Sequence, residues 1–223
     1  MPTPDAEVPA ELRSRLAIAL DVDDLVVALR LARAVQPWCG VAKVGLELFG
    51  SAGPEAVTAL SDEGWSVFLD LKLYDIPTTV ARAARVVGSL GASYLTLPTA
   101  GGEAMVRAGV EGLAEGASAA GTPAPVALGV TVLTSDAEAS AQLLRERVAL
   151  ALRAGCGGVV CAAPDLGMVK QAGPGLVTVV PGTRPAGAPV HDQGRVATPG
   201  EAVAAGADLL VLGRAVTRAG DPA

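Results

Sequence analysis

Val67-Phe68-Leu69-Asp70-Leu71-Lys72-Leu73-Tyr74-Asp75-Ile76-Pro77 begins as a fully apolar strand and ends in three charges. Apolar residues on both faces mark a strand covered on both sides, as in a parallel sheet flanked by helices. Asp and Lys rarely enter a core unpaired, so charges here belong to an array at the strand end. Residues two apart on a strand face the same way, so Asp70 and Lys72 are expected to project together, with Leu69, Leu71 and Leu73 on the opposite side. From these residues alone, a structural ion pair and a functional site are both open readings.

The same pattern recurs along the chain. LAIALDV (16–22), VAKVGL (41–46), SVFLDLK (66–72), SYLTLP (93–98), VALGVTVL (126–133), GVVCAA (158–163), LVTVVPG (176–182) and DLLVLGR (208–214) are continuously apolar runs. Between them, Asp24–Val35, Pro77–Ser89, Gly102–Glu115 and Ala137–Ala154 place apolar residues at helical spacing, with Arg and Glu opposite. Eight β-then-α units of about 28 residues predict an α/β fold, a single-domain (β/α)8 TIM barrel; a doubly wound sheet shows similar alternation. The barrel reading sends strand-end polar residues, Asp21, Lys43, Asp70, Lys72, Thr134, Arg184 and Arg214, to the C-terminal mouth.

Composition agrees. The chain has 223 residues, 51% hydrophobic and only 3% aromatic, and no linker divides it, so small side chains pack helices onto strands. The first twelve residues are expected to form a mobile arm before a barrel domain over 13–223. MPTPDAEVPAELRSR lacks the basic start and apolar run of a secretory signal. The longest uncharged stretch, 116–135, is broken by Gly121, Pro123 and Pro125, so no membrane span is expected and the protein should be soluble. A net charge of −6 argues against nonspecific nucleic-acid binding, which needs a basic face. Cys39, Cys156 and Cys161 form no CxxC pair and lie among apolar residues, which suits reduced, buried thiols in a cytoplasmic protein.

Lysine usage sharpens the site. Lys43, Lys72 and Lys170 stand against fourteen arginines, and the first two interrupt apolar runs where a solubilising charge is misplaced. The stretch 181–195, rich in Pro and Gly and carrying Arg184, Gln193 and Arg195, reads either as a lid closing on an anion or as an ordinary surface loop. Asp21 competes with Asp23 and Asp24 to cap the first long helix; we assign the cap to Asp23 or Asp24 and Asp21 to the site. Thr134 and Ser135 are each able to cap a helix starting near Asp136. His191 is the only histidine, which disfavours His triads and multi-histidine metal sites.

Taken together, these motifs identify a resemblance. Ile18-Ala19-Leu20-Asp21-Val22, KVGLELF (43–49), FLDLKLYDIPTTV (68–80), GVTVLTS (129–135), PGTRP (181–185), DQGRVATP (192–199) and GADLLVLGRAVTRAGDP (206–222) are similar to the orotidine 5′-phosphate decarboxylase family. The resemblance implies conversion of orotidine 5′-phosphate (OMP) to UMP without metal or organic cofactor. It makes Lys72 the proton donor to C6 and Asp70 the carboxylate beside the substrate carboxylate, with Lys43 completing the array. Asp75 is implied to reach the partner's site in a homodimer with shared active sites. Asp21 and Thr79 are implied as ribose-side and neighbouring-subunit contacts, and Thr134 as the pyrimidine contact. Gln193, Arg184, Gly213 and Arg214 are implied to form the lid and phosphate grip. The chain departs from the family's common residues at Tyr74 (His), Thr78 (Asn), Ala215 (Pro), His191 and Gly194 (Asp and Lys in the lid), none of them a charged member of the array. Sister lyases of the superfamily share Asp-x-Lys-x-x-Asp but carry an acidic residue where Lys43 stands, because Mg²⁺ needs oxygen ligands. A catalytically silent nucleotide-binding barrel is the other alternative.

The chemistry suits these residues. Loss of CO₂ leaves an electron pair in an in-plane orbital at C6 with no adjacent carbonyl to receive it. An ammonium held there stabilises and protonates the anion, and flanking carboxylates favour its charged form. A Schiff-base lysine needs the opposite environment.

Overall fold

The computed structural model describes residues 8–133, 140–184, 197–220 and 222. After a short helix, α1 (Ala10–Arg13), the chain alternates strand and helix. The elements are β1 (Leu16–Ala19), α2 (Leu25–Val35), β2 (Val41–Gly45), α3 (Leu46–Ala52), α4 (Pro54–Asp62), β3 (Ser66–Asp70), α5 (Pro77–Gly88) and β4 (Tyr94–Pro98). There follow α6 (Gly102–Ala120), β5 (Val126–Val130), α7 (Ala141–Arg153), β6 (Gly158–Val160), α8 (Leu166–Ala172), β7 (Val177–Val180), α9 (Pro199–Ala204), β8 (Leu209–Leu212) and α10 (Arg214–Thr217). The eight parallel strands pair in chain order and close as a barrel, β8 meeting β1 in the register Leu16↔Leu210, Ala17↔Val211. This is the (β/α)8 barrel expected from the spacing, and closure rules out the doubly wound sheet. The arm boundary expected after residue 12 falls inside α1, and residues 1–7 lie outside the described residues.

The continuous apolar runs have two destinations. Ala17, Ala19, Val41, Phe68, Leu128, Val179, Leu209 and Val211 pack inside the barrel. Ile18, Ala42, Val44, Leu69, Leu95, Leu97 and Val159 alternate with them and face the helices. Phe68 and Tyr94 fill the interior edge to face, with ring centroids 5.9 Å apart. Because the interior is plugged by side chains, ligand chemistry is confined to the end where the strands stop being apolar.

Two contacts outside the mouth hold the scaffold. Helices α5 and α6 touch backbone to backbone: a Cβ on Gly116 would lie 1.9 Å from the Arg85 carbonyl oxygen, and one on Gly112 2.3 Å from that of Ala81. At the opposite end from the mouth, Asp208 Oδ2 accepts from Lys170 Nζ at 2.7 Å, from the Thr178 amide at 2.7 Å and from the Thr178 hydroxyl at 2.8 Å. Lys170 is thus a scaffold lysine, unlike the other two.

Candidate active site

Interior alternation carries each strand from an apolar plug to a polar tip. Ala19 leads to Asp21, Val41 to Lys43, Phe68 to Asp70, and Tyr94 to Thr96, each two residues further toward the mouth. Around these tips lies a cavity of about 810 Å³ floored by Phe68, Val130, Val160, Val179 and Val211. Asp21, Lys43, Asp70 and Lys72 line one side, and Pro181–Arg184 with Gly213 and Arg214 line another.

The charges alternate in a row. Lys43 Nζ donates to Asp21 Oδ1 at 3.0 Å and lies 3.8 Å from Asp70 Oδ2; Lys72 Nζ donates to Asp70 Oδ1 at 2.7 Å. Exposure rises outward from the middle of this row, from 11% for the Lys43 side chain and 17% for Asp70 to 36% for Lys72. The buried members are each paired, as buried charges must be. Gly45 makes room for this packing, since a Cβ there would stand 3.3 Å from both Asp21 Oδ1 and Lys43 Nζ.

The helix-cap ambiguity resolves in favour of Asp24, whose Oδ1 accepts from the Val27 amide at 2.8 Å and leaves Asp21 for Lys43. Helix α7 begins at Ala141 under a Ser140 cap rather than near Asp136; Thr134 and Ser135 lie outside the described residues.

Strand β3 stops at Asp70, one correction to the period-two argument. Lys72 lies beyond the strand with φ 47, the one non-glycine residue at positive φ among the described residues. A left-handed turn, rather than strand alternation, brings its ammonium onto Asp70. The turn continues through Asp75, which accepts from the Ile76 amide at 2.6 Å, to Pro77 at the first position of α5. Leu69 and Leu71 are buried on the helix side, as expected.

Not every predicted site residue joins this cavity. Asp75 and Thr79 are exposed and do not line it. Gln193, with His191, Gly194 and Arg195, lies outside the described residues, as does most of the 181–195 stretch. The two ends of that stretch are pinned together: Thr183 bridges Ala197, and the Arg184 amide donates to the Ala197 carbonyl at 3.0 Å. Gly213 precedes the single-turn helix α10 and accepts from the Val216 amide at 2.9 Å.

Sequence reasoning missed Thr96. It is fully buried, accepts from the Lys72 amide at 2.9 Å and donates to Asp70 Oδ1 at 3.0 Å. Its one signal was a hydroxyl interrupting an apolar run, and Thr is too common in strands for that to stand out. Glu47 and Arg218, which line the cavity as Thr96 does not, were missed as well.

The family described as Orotidine 5'-phosphate decarboxylase / HUMPS family matches residues 14–223. Proteins named orotidine 5'-phosphate decarboxylase are similar: that of Anaeromyxobacter sp. (strain K) is 48% identical over 94% of this chain and 93% of its own length. That of Moorella thermoacetica is 45% identical over 94% and 88%. Among solved structures, orotidine 5'-phosphate decarboxylase from Lactobacillus acidophilus superposes with a TM-score of 0.76 at 30% identity, covering 93% of each chain. With the match spanning nearly the whole barrel, and with the alternating charge row at its mouth, the chain belongs to the orotidine 5′-phosphate decarboxylase / HUMPS family.

Proposed function

We propose that this chain decarboxylates OMP to UMP and CO₂. The observation that carries the reading is the Asp21–Lys43–Asp70–Lys72 row, with Lys72 Nζ 2.7 Å from Asp70 Oδ1 at the cavity wall. Lys43 also separates this reading from the sister lyases within the family. Its ammonium already lies between Asp21 and Asp70, where a divalent cation needs oxygen ligands.

In this reading the C6–carboxylate bond breaks heterolytically, CO₂ departs, and the electron pair left at C6 takes a proton from the Lys72 ammonium. The neutral amine is then reprotonated from solvent. Asp70 faces the substrate carboxylate and repels it, while phosphate binding by Arg184, Gln193, Gly213 and Arg214 holds the substrate against that repulsion. Thr134 contacts the pyrimidine and Asp21 the ribose.

We further infer a homodimer with shared sites, in which Asp75 and Thr79 serve the partner's cavity. Their exposure outside their own cavity supports this, as do the exposed apolar Tyr74 (61%) and Ile76 (67%) on either side of Asp75, which a second copy would cover. A cytoplasmic location is supported by the buried thiols of Cys39, Cys156 and Cys161, none of them in a disulfide. Burial pushes the Cys39 thiol up to about 11 and, against a hydrogen bond with the Gly129 backbone, Cys156 up to about 12.

The test is ultraviolet-monitored loss of OMP by purified protein in EDTA, with UMP identified as product. Turnover supports the proposal. Folded protein that binds UMP without turnover points to a silent binder, and activity on a sugar phosphate restored by Mg²⁺ points to the sister lyases.

A further inference from the structure

We propose that Thr96 is a positioning residue, its hydroxyl fixing both ends of Lys72. The inference rests on reading Lys72 as the proton donor. Lys72 sits in a left-handed backbone conformation (φ 47) that a side-chain-bearing residue adopts only when its surroundings hold it there. The Thr96 hydroxyl is part of that hold, accepting from the Lys72 amide at 2.9 Å. Having used a lone pair on the amide, the hydroxyl directs its single proton to Asp70 Oδ1 at 3.0 Å. That same oxygen accepts from Lys72 Nζ at 2.7 Å.

One buried oxygen therefore closes a loop: Lys72 amide to Thr96, Thr96 to Asp70, Asp70 to the Lys72 ammonium. The amide locates the start of the lysine side chain and the carboxylate its end. Thr96 is fully buried in the middle of β4, so its position is set by the barrel rather than by solvent. A second tie between these segments, the Leu73 amide donating to the Thr96 carbonyl at 3.3 Å, is independent of the side chain and survives substitution.

The test compares Thr96→Val, which keeps the shape and removes the hydroxyl, with Thr96→Ser, which keeps the hydroxyl, with Lys72→Ala measured alongside. For T96V, kcat on OMP is expected to fall about 10- to 100-fold, the worth of a hydrogen bond to a charged group, with UMP affinity within about threefold of the parent. T96S is expected to keep kcat within about threefold. Parental kcat in T96V, or parallel losses of kcat and UMP affinity, overturns the inference while leaving the Lys72 assignment intact if K72A is inactive. Activity in K72A overturns the assignment on which the inference rests. Should neither T96V nor Thr96→Ala fold, the inference is overturned too, because Thr96 then serves the barrel rather than the site.

Discussion

Replacing Lys72 with Ala separates chemistry from binding. In the parent, the Lys72 ammonium lies 2.7 Å from Asp70 Oδ1, while Lys43 stands 3.8 Å from the other carboxylate oxygen. Unit charges about 4 Å apart near a protein surface interact by about 4 kcal/mol. Losing that interaction with the anion developing at C6 corresponds to about 10³-fold in rate, and loss of the positioned acid adds to it. UMP has no carboxylate and builds no charge at C6, so its binding feels only the altered balance around Asp70, which Lys43 still partly compensates. We expect kcat to fall by at least about 10³-fold and UMP affinity to change by less than about tenfold. Steady-state loss of OMP absorbance gives the first quantity, calorimetric titration with UMP the second, and a melting curve confirms the fold. Comparable losses in turnover and UMP affinity would refute the proton-donor role.

Four further outcomes are expected. Lys72→Gly should unfold at higher denaturant than Lys72→Ala, by about 1 kcal/mol, because both lose the ion pair but only Ala keeps the left-handed strain; equal midpoints would show the turn is unstrained. Asp75→Asn and Lys72→Ala, each inactive alone, should recover partial activity when subunits are mixed; no recovery despite demonstrated exchange counts against the cross-subunit site. Burial alone raises Asp208, but hydrogen bonds from Lys170 and Thr178 outweigh it and hold the carboxyl below its ordinary value. Its contribution to stability is therefore present above the unfolded-state value and lost as pH falls through the folded one, so the melting difference between parent and Asp208→Asn should shrink with acidification below about pH 4. Gly116→Ala, which on helix propensity alone should stabilise, is expected to destabilise by about 1–3 kcal/mol because its Cβ would lie 1.9 Å from the Arg85 carbonyl; a raised melting temperature would contradict that packing.

Much of the architecture was legible from Val67 to Asp70 and its seven counterparts, because a parallel strand between two apolar layers has no polar face to hide. Except in β4, which ends at Pro98 as read, the strand ends read from sequence ran one to three residues too far toward the mouth. The runs 16–22, 66–72 and 208–214 stop pairing at Ala19, Asp70 and Leu212, where the side chains turn from plug to rim. Lys43 and Lys72 stood out because charge inside an apolar run is costly unless partnered. Their partners were less evident. Lys43 meets Asp21 across two neighbouring strands in the register Ala19↔Lys43, a juxtaposition no local pattern contains.

The sequence by itself determined that eight apolar strands would be covered by helices and would end in charge, since burial and periodicity act on each segment separately. Only the tertiary structure decided that the sheet closes, that Lys72 reaches Asp70 through a left-handed turn, and that Thr96 from the next strand holds both. Closure and register bring together residues distant in the chain, and hydrogen bonds of a few ångströms depend on that placement rather than on the composition of any one segment.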